Sequence, residues 1–131
     1  MSTLRTFLQD LEAKAPDEVW RITHEVDRGF EIAALVMELE KRGQAPVLWF
    51  EKVRGSRFPL VTNVFGDRRR YARALGVPME ALHGEWLARN ERRQAPALRP
   101  TGPIRDVVRT GADVDLDVLP IVTHFVSNDW P

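Results

Sequence analysis

The sequence predicts a mixed α/β (α+β) domain, a small sheet with packed helices, leading into something larger. Three observations predict it. Apolar residues recur at helical spacing, then in short β-branched and aromatic runs, in the order helix–strand–helix–strand–strand–helix–helix. One run, Pro46-Val-Leu-Trp-Phe50, is apolar without interruption, as in a strand buried on both faces. The stretch from Gly111 finishes on Trp130-Pro131, apolar and aromatic where an untethered terminus is ordinarily polar. The 131 residues are therefore expected to be the front part of a larger protein, an N-terminal domain over residues 1–110 and an inter-domain lead over 111–131.

Taken in order, Leu4, Phe7, Leu8 and Leu11 form one stripe of an amphipathic helix, capped by Ser2 or Thr3 and limited by Pro16. Val19 to Val26 alternates loosely and reads as a strand. Asp27-Arg-Gly29 turns the chain into a helix from Glu31 to Arg42, with Ile32, Leu35, Val36 and Leu39 on its apolar face and Gly43 as C-cap. Pro46–Phe50 is the buried strand, and Phe58 to Phe65 a second, with Pro59 near its start. Asp67 is the N-cap and Gly76 the stop of a helix over Arg68–Leu75. Pro78 opens another, with Met79, Leu82, Trp86 and Leu87 on its apolar face. Residues 95–103 are a proline-rich connector, and Ile104 to Val108 a short strand. In the tail, Asp113, Asp115 and Asp117 alternate with Val114, Leu116 and Val118, the pattern of a half-buried edge whose like charges discourage pairing. Trp20, Trp49, Trp86 and Trp130 read as core payload.

Composition excludes several function classes. There is no cysteine, hence no disulfide framework, thiolate nucleophile or Cys-ligated zinc. Met1 to Asp10 lacks the apolar core of a secretory signal, and no run is long enough to span a membrane. A cytoplasmic protein with no membrane partner is expected. The formal net charge of +0 is unevenly spread: residues 67–101 carry eight arginines against four acids, and residues 102–131 two arginines against five aspartates. Overall balance and the lack of aromatic–basic interleaving give no push towards nucleic acid.

Candidate chemistry is sparse. Asn63-Val-Phe-Gly66-Asp-Arg68-Arg69-Arg70 joins a strand end, a glycine and three arginines opening a helix, where free N–H groups and the helix dipole favour a phosphate or carboxylate. Against this, Asp67 consumes N–H groups as a cap, the arginines oppose the dipole, and Gly66 serves equally for a positive φ. It is neither a Walker loop nor a dinucleotide fingerprint. His24 and His83 read as ordinary strand and helix residues; His124, in the tail, is the histidine that would line a site.

Five passages, in register, resemble the N-terminal region of the UbiD-like decarboxylases. They are Leu4-Arg-Thr-Phe-Leu8 with Leu11-Glu12; Ile22-Thr-His-Glu-Val-Asp27 with Glu31-Ile32; Pro46-Val-Leu-Trp-Phe-Glu51, Gly55 and Phe58-Pro-Leu-Val-Thr-Asn63-Val-Phe-Gly66; Arg70-Tyr-Ala-Arg-Ala-Leu-Gly76; and Gly111-Ala-Asp-Val-Asp-Leu116 with Leu119-Pro-Ile121. The resemblance implies the N-terminal domain of a larger multidomain enzyme, a non-oxidative carboxy-lyase of aromatic or α,β-unsaturated acids, some members running in reverse as carboxylases. It implies prenylated FMN as electron sink, with a divalent metal (Mn or Mg) and a monovalent cation (K) at its phosphate. The family's site residues lie in the flavin-binding domain, so no catalytic, cofactor-binding or metal residue is expected here, and this chain alone is expected to be inactive. Implied partners are the flavin-binding and C-terminal domains of the same enzyme, the acid substrate, a flavin prenyltransferase that supplies the cofactor, and further copies of the parent. Thr123-His-Phe-Val-Ser-Asn-Asp129 departs from the family's usual acidic or glycine-rich passage and leaves the substrate subclass open. The alternative is a free-standing binding or interaction module with an anion site at Gly66–Arg70.

Overall fold

The computed structural model describes residues 3–124. Helix α1 (Leu4–Lys14) starts on Thr3, whose hydroxyl accepts from the Thr6 amide while Thr6 answers in a reciprocal capping box. It ends before Pro16, which opens a single 3-10 turn, Pro16–Glu18. Strand β1 (Val19–Val26), helix α2 (Glu31–Lys41) and strand β2 (Val47–Val53) make a βαβ unit, since β1 and β2 pair in parallel. Strand β3 (Leu60–Thr62) then pairs antiparallel with β2, giving the order β1-β2-β3.

The central strand explains its own sequence. Leu48 and Phe50 face α2 and pack with Val26, Ile32, Leu39 and Val53. Val47 and Trp49 face α1 and pack with Leu8, Leu11 and Val19. With a helix on each face, β2 has no side to leave polar, hence the unbroken apolar run. Helix α3 (Arg68–Leu75) has the expected ends, Asp67 as N-cap and Gly76 in the left-handed region at φ 72°. A 3-10 turn, Met79–Ala81, leads into α4 (Leu82–Glu91). Phe65 stacks between Phe7 of α1 and Tyr71 of α3, with centroids at 5.9 and 4.6 Å, and so joins the α3 side to the first layer.

Five expectations are corrected. The Phe58–Phe65 strand is only Leu60–Thr62, because Asn63 takes a positive φ of 58° and donates its side-chain amide to the Pro46 carbonyl at 2.9 Å. Gly66 is not at positive φ; a Cβ there would lie 2.1 Å from Asn63 Oδ1, so the glycine is needed for close approach. Ile104–Val108 forms no strand: Pro103–Arg105 is a short 3-10 turn and Ile104 is 91% exposed, with no strand partner among the described residues. The aspartate alternation in the tail is not strand geometry either, since Gly111–Asp113 is a 3-10 turn and Asp115 Oδ1 accepts from the Asp117 amide. Of the tryptophans, Trp49 is half-buried, while Trp20 and Trp86 are 40% and 51% exposed and belong to the surface; Trp130, like Pro131, lies outside the described residues.

The tail does not simply leave the domain. Residues 117–123 return to the turns after β1 and β2, and Val122 packs on the α2-side core.

The Asn63–Gly66 contact predicts a coupled pair. Gly66→Ala alone should destabilise by about 1–3 kcal/mol through the forced contact. In an Asn63→Ala background, which removes the opposing atoms, the same change should cost well under that. Urea unfolding of the four proteins of the cycle reads the coupling; strictly additive effects would contradict the contact.

Candidate functional site

The turn from β3 into α3 places the three candidate arginines in three different environments. Arg70 points into the protein and is 2% exposed. Its guanidinium donates to the carbonyls of Val64 at 2.7 Å, Asn63 at 3.2 Å and Ala45, and meets Glu18 at 3.3 Å. Arg69 turns back on Asp67, with Nη2 at 2.6 Å from Oδ2. The same carboxylate accepts from the Arg69 amide at 2.8 Å, so one aspartate caps the helix and holds a cation. Hydrogen bonds from the Arg69 side chain, then from its amide, lower the Asp67 pKa to about 2 against partial desolvation. Among the described residues Arg68 alone of the three has no side-chain hydrogen bond or ion pair. It borders a cavity of about 330 Å³ with Tyr71, Leu82, His83 and Trp86. The capacity of this turn for an anion thus rests on Arg68, beside two aromatic rings and an imidazole. Gly66 itself is occupied by its approach to Asn63.

The histidines are not brought together. His24 is exposed on β1 and His83 on α4. His124 borders a separate apolar cavity of about 270 Å³, walled by Ile32, Val36, Leu60 and Val122 among others. Among the described residues no three or more His, Cys, Asp or Glu side chains are grouped so as to hold a metal ion.

A flavin phosphate bound with a metal needs an apolar slot and convergent charged donors. The cavity beside α2 has apolar walls and no cation. A more cationic cavity of about 540 Å³, lined by Glu85, Arg89, Arg92, Arg93 and Gln94, has no apolar side chain in its lining. The cavity beside Arg68 joins a cation to Tyr71, Leu82 and Trp86 but has no carboxylate in its lining, and Asp67 and Glu18 beside Arg69 and Arg70 are already paired with those arginines, so neither offers the ligands of a metal-bound phosphate. The carboxyls whose pKa is displaced, Glu12, Asp67 and Glu85, are all lowered, chiefly by hydrogen bonds from Arg21, Arg69 and Arg89. None of the three is tuned upward for proton transfer near neutrality. No helix among the described residues is long and apolar enough to cross a membrane.

The residues that sequence reasoning missed are Arg70, as a buried organiser, and Arg28 with Ser56, which hold the tail. A single arginine within an arginine run carries no periodic signal. Its only hint is position, since Arg70 lies three residues before Arg73 on one helical face, next to the ring of Tyr71 that stacks on Phe65.

Comparison with known proteins places this geometry. The family profile described as the 3-octaprenyl-4-hydroxybenzoate carboxy-lyase (UbiD) N-terminal domain matches residues 10–98, well over half the chain. The UbiD-class enzyme HmfF of Pelotomaculum thermopropionicum, solved with FMN, is 36% identical over 94% of this chain and 27% of its own, with a TM-score of 0.75. An evolved dimeric form of that enzyme, solved with prFMN, is 37% identical over 96% of this chain and 29% of its own, also at 0.75. Vanillic acid decarboxylase of Sedimentibacter hydroxybenzoicus, in open form, is 29% identical over 73% of this chain and 21% of its own, at 0.56. The chain thus spans less than a third of each of these proteins. None of the matches supports a free-standing binding module.

Two predictions follow from the turn. Arg70→Ala leaves three loop carbonyls and Glu18 without their donor and should cost about 3 kcal/mol or more in urea unfolding. Arg68→Ala, on the same helix, should change stability by less than about 0.5 kcal/mol. Because the folded-state pKa of Asp67 lies below its unfolded value of 3.8, its contribution is complete above 3.8 and is lost as the pH falls through about 2. Asp67→Ala should therefore be less stable than wild type by about 1 kcal/mol at neutral pH. That gap should close as the pH falls from 3.8 towards 2. A gap that stays constant across the range would contradict the assignment.

Proposed function

The chain belongs to the UbiD family through its N-terminal domain, and on that footing we propose that it serves as the N-terminal domain of a non-oxidative carboxy-lyase. The observation that carries this is the extent of the likeness. At 36–37% identity it covers 94–96% of the chain, and so includes the three-layer domain and reaches into residues 111–131. The substrates on this reading are aromatic or α,β-unsaturated carboxylic acids, with decarboxylation or the reverse carboxylation as the reaction.

The cofactor on this reading is prenylated FMN, carried with a divalent metal (Mn or Mg) and a potassium ion by a flavin-binding domain of the parent enzyme. Its chemistry is that of an electron sink for the carbanion left by CO2. A flavin prenyltransferase supplies it, and the parent works as a homo-oligomer in the cytoplasm. Residues 1–110 pack against the flavin-binding and C-terminal domains, and residues 111–131 lead towards the former. Two features of this chain support the division of labour. Among the described residues no three or more metal-ligating side chains are grouped, and the displaced carboxyl pKa values run downward.

The test compares the 131-residue chain with its full-length parent. Flavin-fluorescence titration of the chain with prenylated FMN should show no saturable binding up to about 100 µM, whereas the parent should bind cofactor and release CO2 from an aromatic or unsaturated acid. Saturable binding to the short chain with a Kd below about 10 µM would place the cofactor site here and overturn the proposal.

A further inference from the structure

Residues 117–123 form a strap whose main chain is gripped by side chains far away in sequence. Arg28 Nη1 donates to the carbonyl of Asp117 at 2.9 Å and to that of Leu119 at 3.1 Å. The carbonyl between them, on Val118, accepts from Ser56 Oγ at 2.7 Å. Ser56 in turn accepts from the Phe58 amide at 3.1 Å, which leaves its proton for Val118. Three consecutive acceptors are thus held by the turns that follow the two parallel strands. Further along, the Thr123 amide donates to the Arg28 carbonyl at 2.9 Å, the Phe30 amide donates to the Thr123 carbonyl at 3.2 Å, and Gly29 and Thr123 form a parallel bridge.

The receiving turn also has hydrogen bonds of its own. Asp27 accepts from the Gly29 amide at 2.6 Å and from Arg54 Nη1 at 2.9 Å, while Glu31 accepts from the Asp27 amide at 2.6 Å. Between them Phe30 is held at φ 61°, a left-handed conformation that a bulky residue keeps only where its surroundings over-determine it. Such a turn cannot adapt freely to a passing loop; it offers a fixed set of partners. The grip is on carbonyls, not on the acidic side chains. The nearest Asp117 carboxylate oxygen is 4.0 Å from Arg28, and that side chain is 96% exposed.

We propose that Arg28 and Ser56 form a cleat that fixes the strap to the βαβ unit, so that this unit sets the path of residues 117–123. The exposed segment 93–116 then only spans the gap between α4 and the strap. Arg28 is a positioning residue in this role, and the cleat stands on the strap contacts whether or not the parent is a decarboxylase.

Amide hydrogen exchange by NMR on the 131-residue chain tests it, with Thr123 reporting the strap and Phe50 the core. In the wild type Thr123 should be protected. Arg28→Ala should lower that protection about tenfold or more, because two charge-assisted bonds are lost, while Phe50 stays unchanged. Ser56→Ala should lower it about threefold. Asp117→Asn should leave it as it is. An unprotected Thr123 in the wild type, or an unchanged one in Arg28→Ala, would overturn the cleat. So would an Asp117→Asn effect as large as that of Arg28→Ala, which would mean that the ion pair holds the strap. If Arg28→Ala also loses Phe50 protection, Ser56→Ala decides: unchanged Thr123 exchange there refutes the proposal.

Discussion

The rest of the domain depends on one buried cation. The sheet has three strands, and the loops that frame it carry carbonyls that no ladder satisfies. Ala45 lies before β2, Asn63 and Val64 after β3, and Glu18 at the entry to β1. Arg70 reaches all four from the first turn of α3. A buried charge is costly unless its donors are matched, and here they are matched chiefly by neutral carbonyls with one carboxylate alongside. The planar, many-donor guanidinium suits this task, because an ammonium on a flexible stem cannot serve diverging acceptors at fixed angles. The result is that α3 is anchored at one end of the sheet, to the segments flanking all three strands, without needing a large apolar face of its own. Its buried residues are Arg70 and Ala72.

Much of this was legible in the sequence wherever the signal is local. The α1 stripe, the unbroken run of β2 and the Asp67 and Gly76 caps of α3 each reflect a requirement met within a few residues. The misreadings share the opposite cause. Phe58–Phe65 has strand composition throughout, but Asn63 leaves the ladder to bond Pro46, 17 positions away. Ile104–Val108 has strand composition but no strand to pair with among the described residues. The aspartate alternation is overridden by a local Asx contact. Arg70 is the sharpest instance: in a run of three arginines the natural reading is a solvated or anion-binding face, and only partners 25 and 52 positions away reveal a structural role. Of the anion site, the residue types were visible and their commitments were not.

The tail shows the same lesson at the level of function. Its acidic side chains drew attention because charge is visible in a sequence. Its main-chain carbonyls are what the domain holds, and a carbonyl has no letter of its own. Asp117 matters to Arg28 mainly through its backbone oxygen. The turn that holds it is equally hard to read, because Asp27 and Glu31 look like a loop acid and a helix start. Together they stabilise a left-handed Phe30 that no local propensity favours.

These two devices bear on what kind of part this domain is. Sites for chemistry usually displace pKa values towards neutrality, gather ligands or open a deep pocket. Here the ionic groups are instead paired across structural joints: Glu12 with Arg21 between α1 and β1, Arg54 with Asp27 between the two strand-end turns, and Glu18 with Arg70. Each pair joins two different elements or turns, and in the last two the arginine also binds backbone or braces a turn that does. A domain arranged in this way acts by holding geometry. In an enzyme whose difficult step belongs to a bound cofactor, misplacement of about 1 Å can slow reaction severely, so a rigid frame and a defined chain path are themselves a functional contribution. The best-built polar clusters of this chain are accordingly directed inward, at its own backbone.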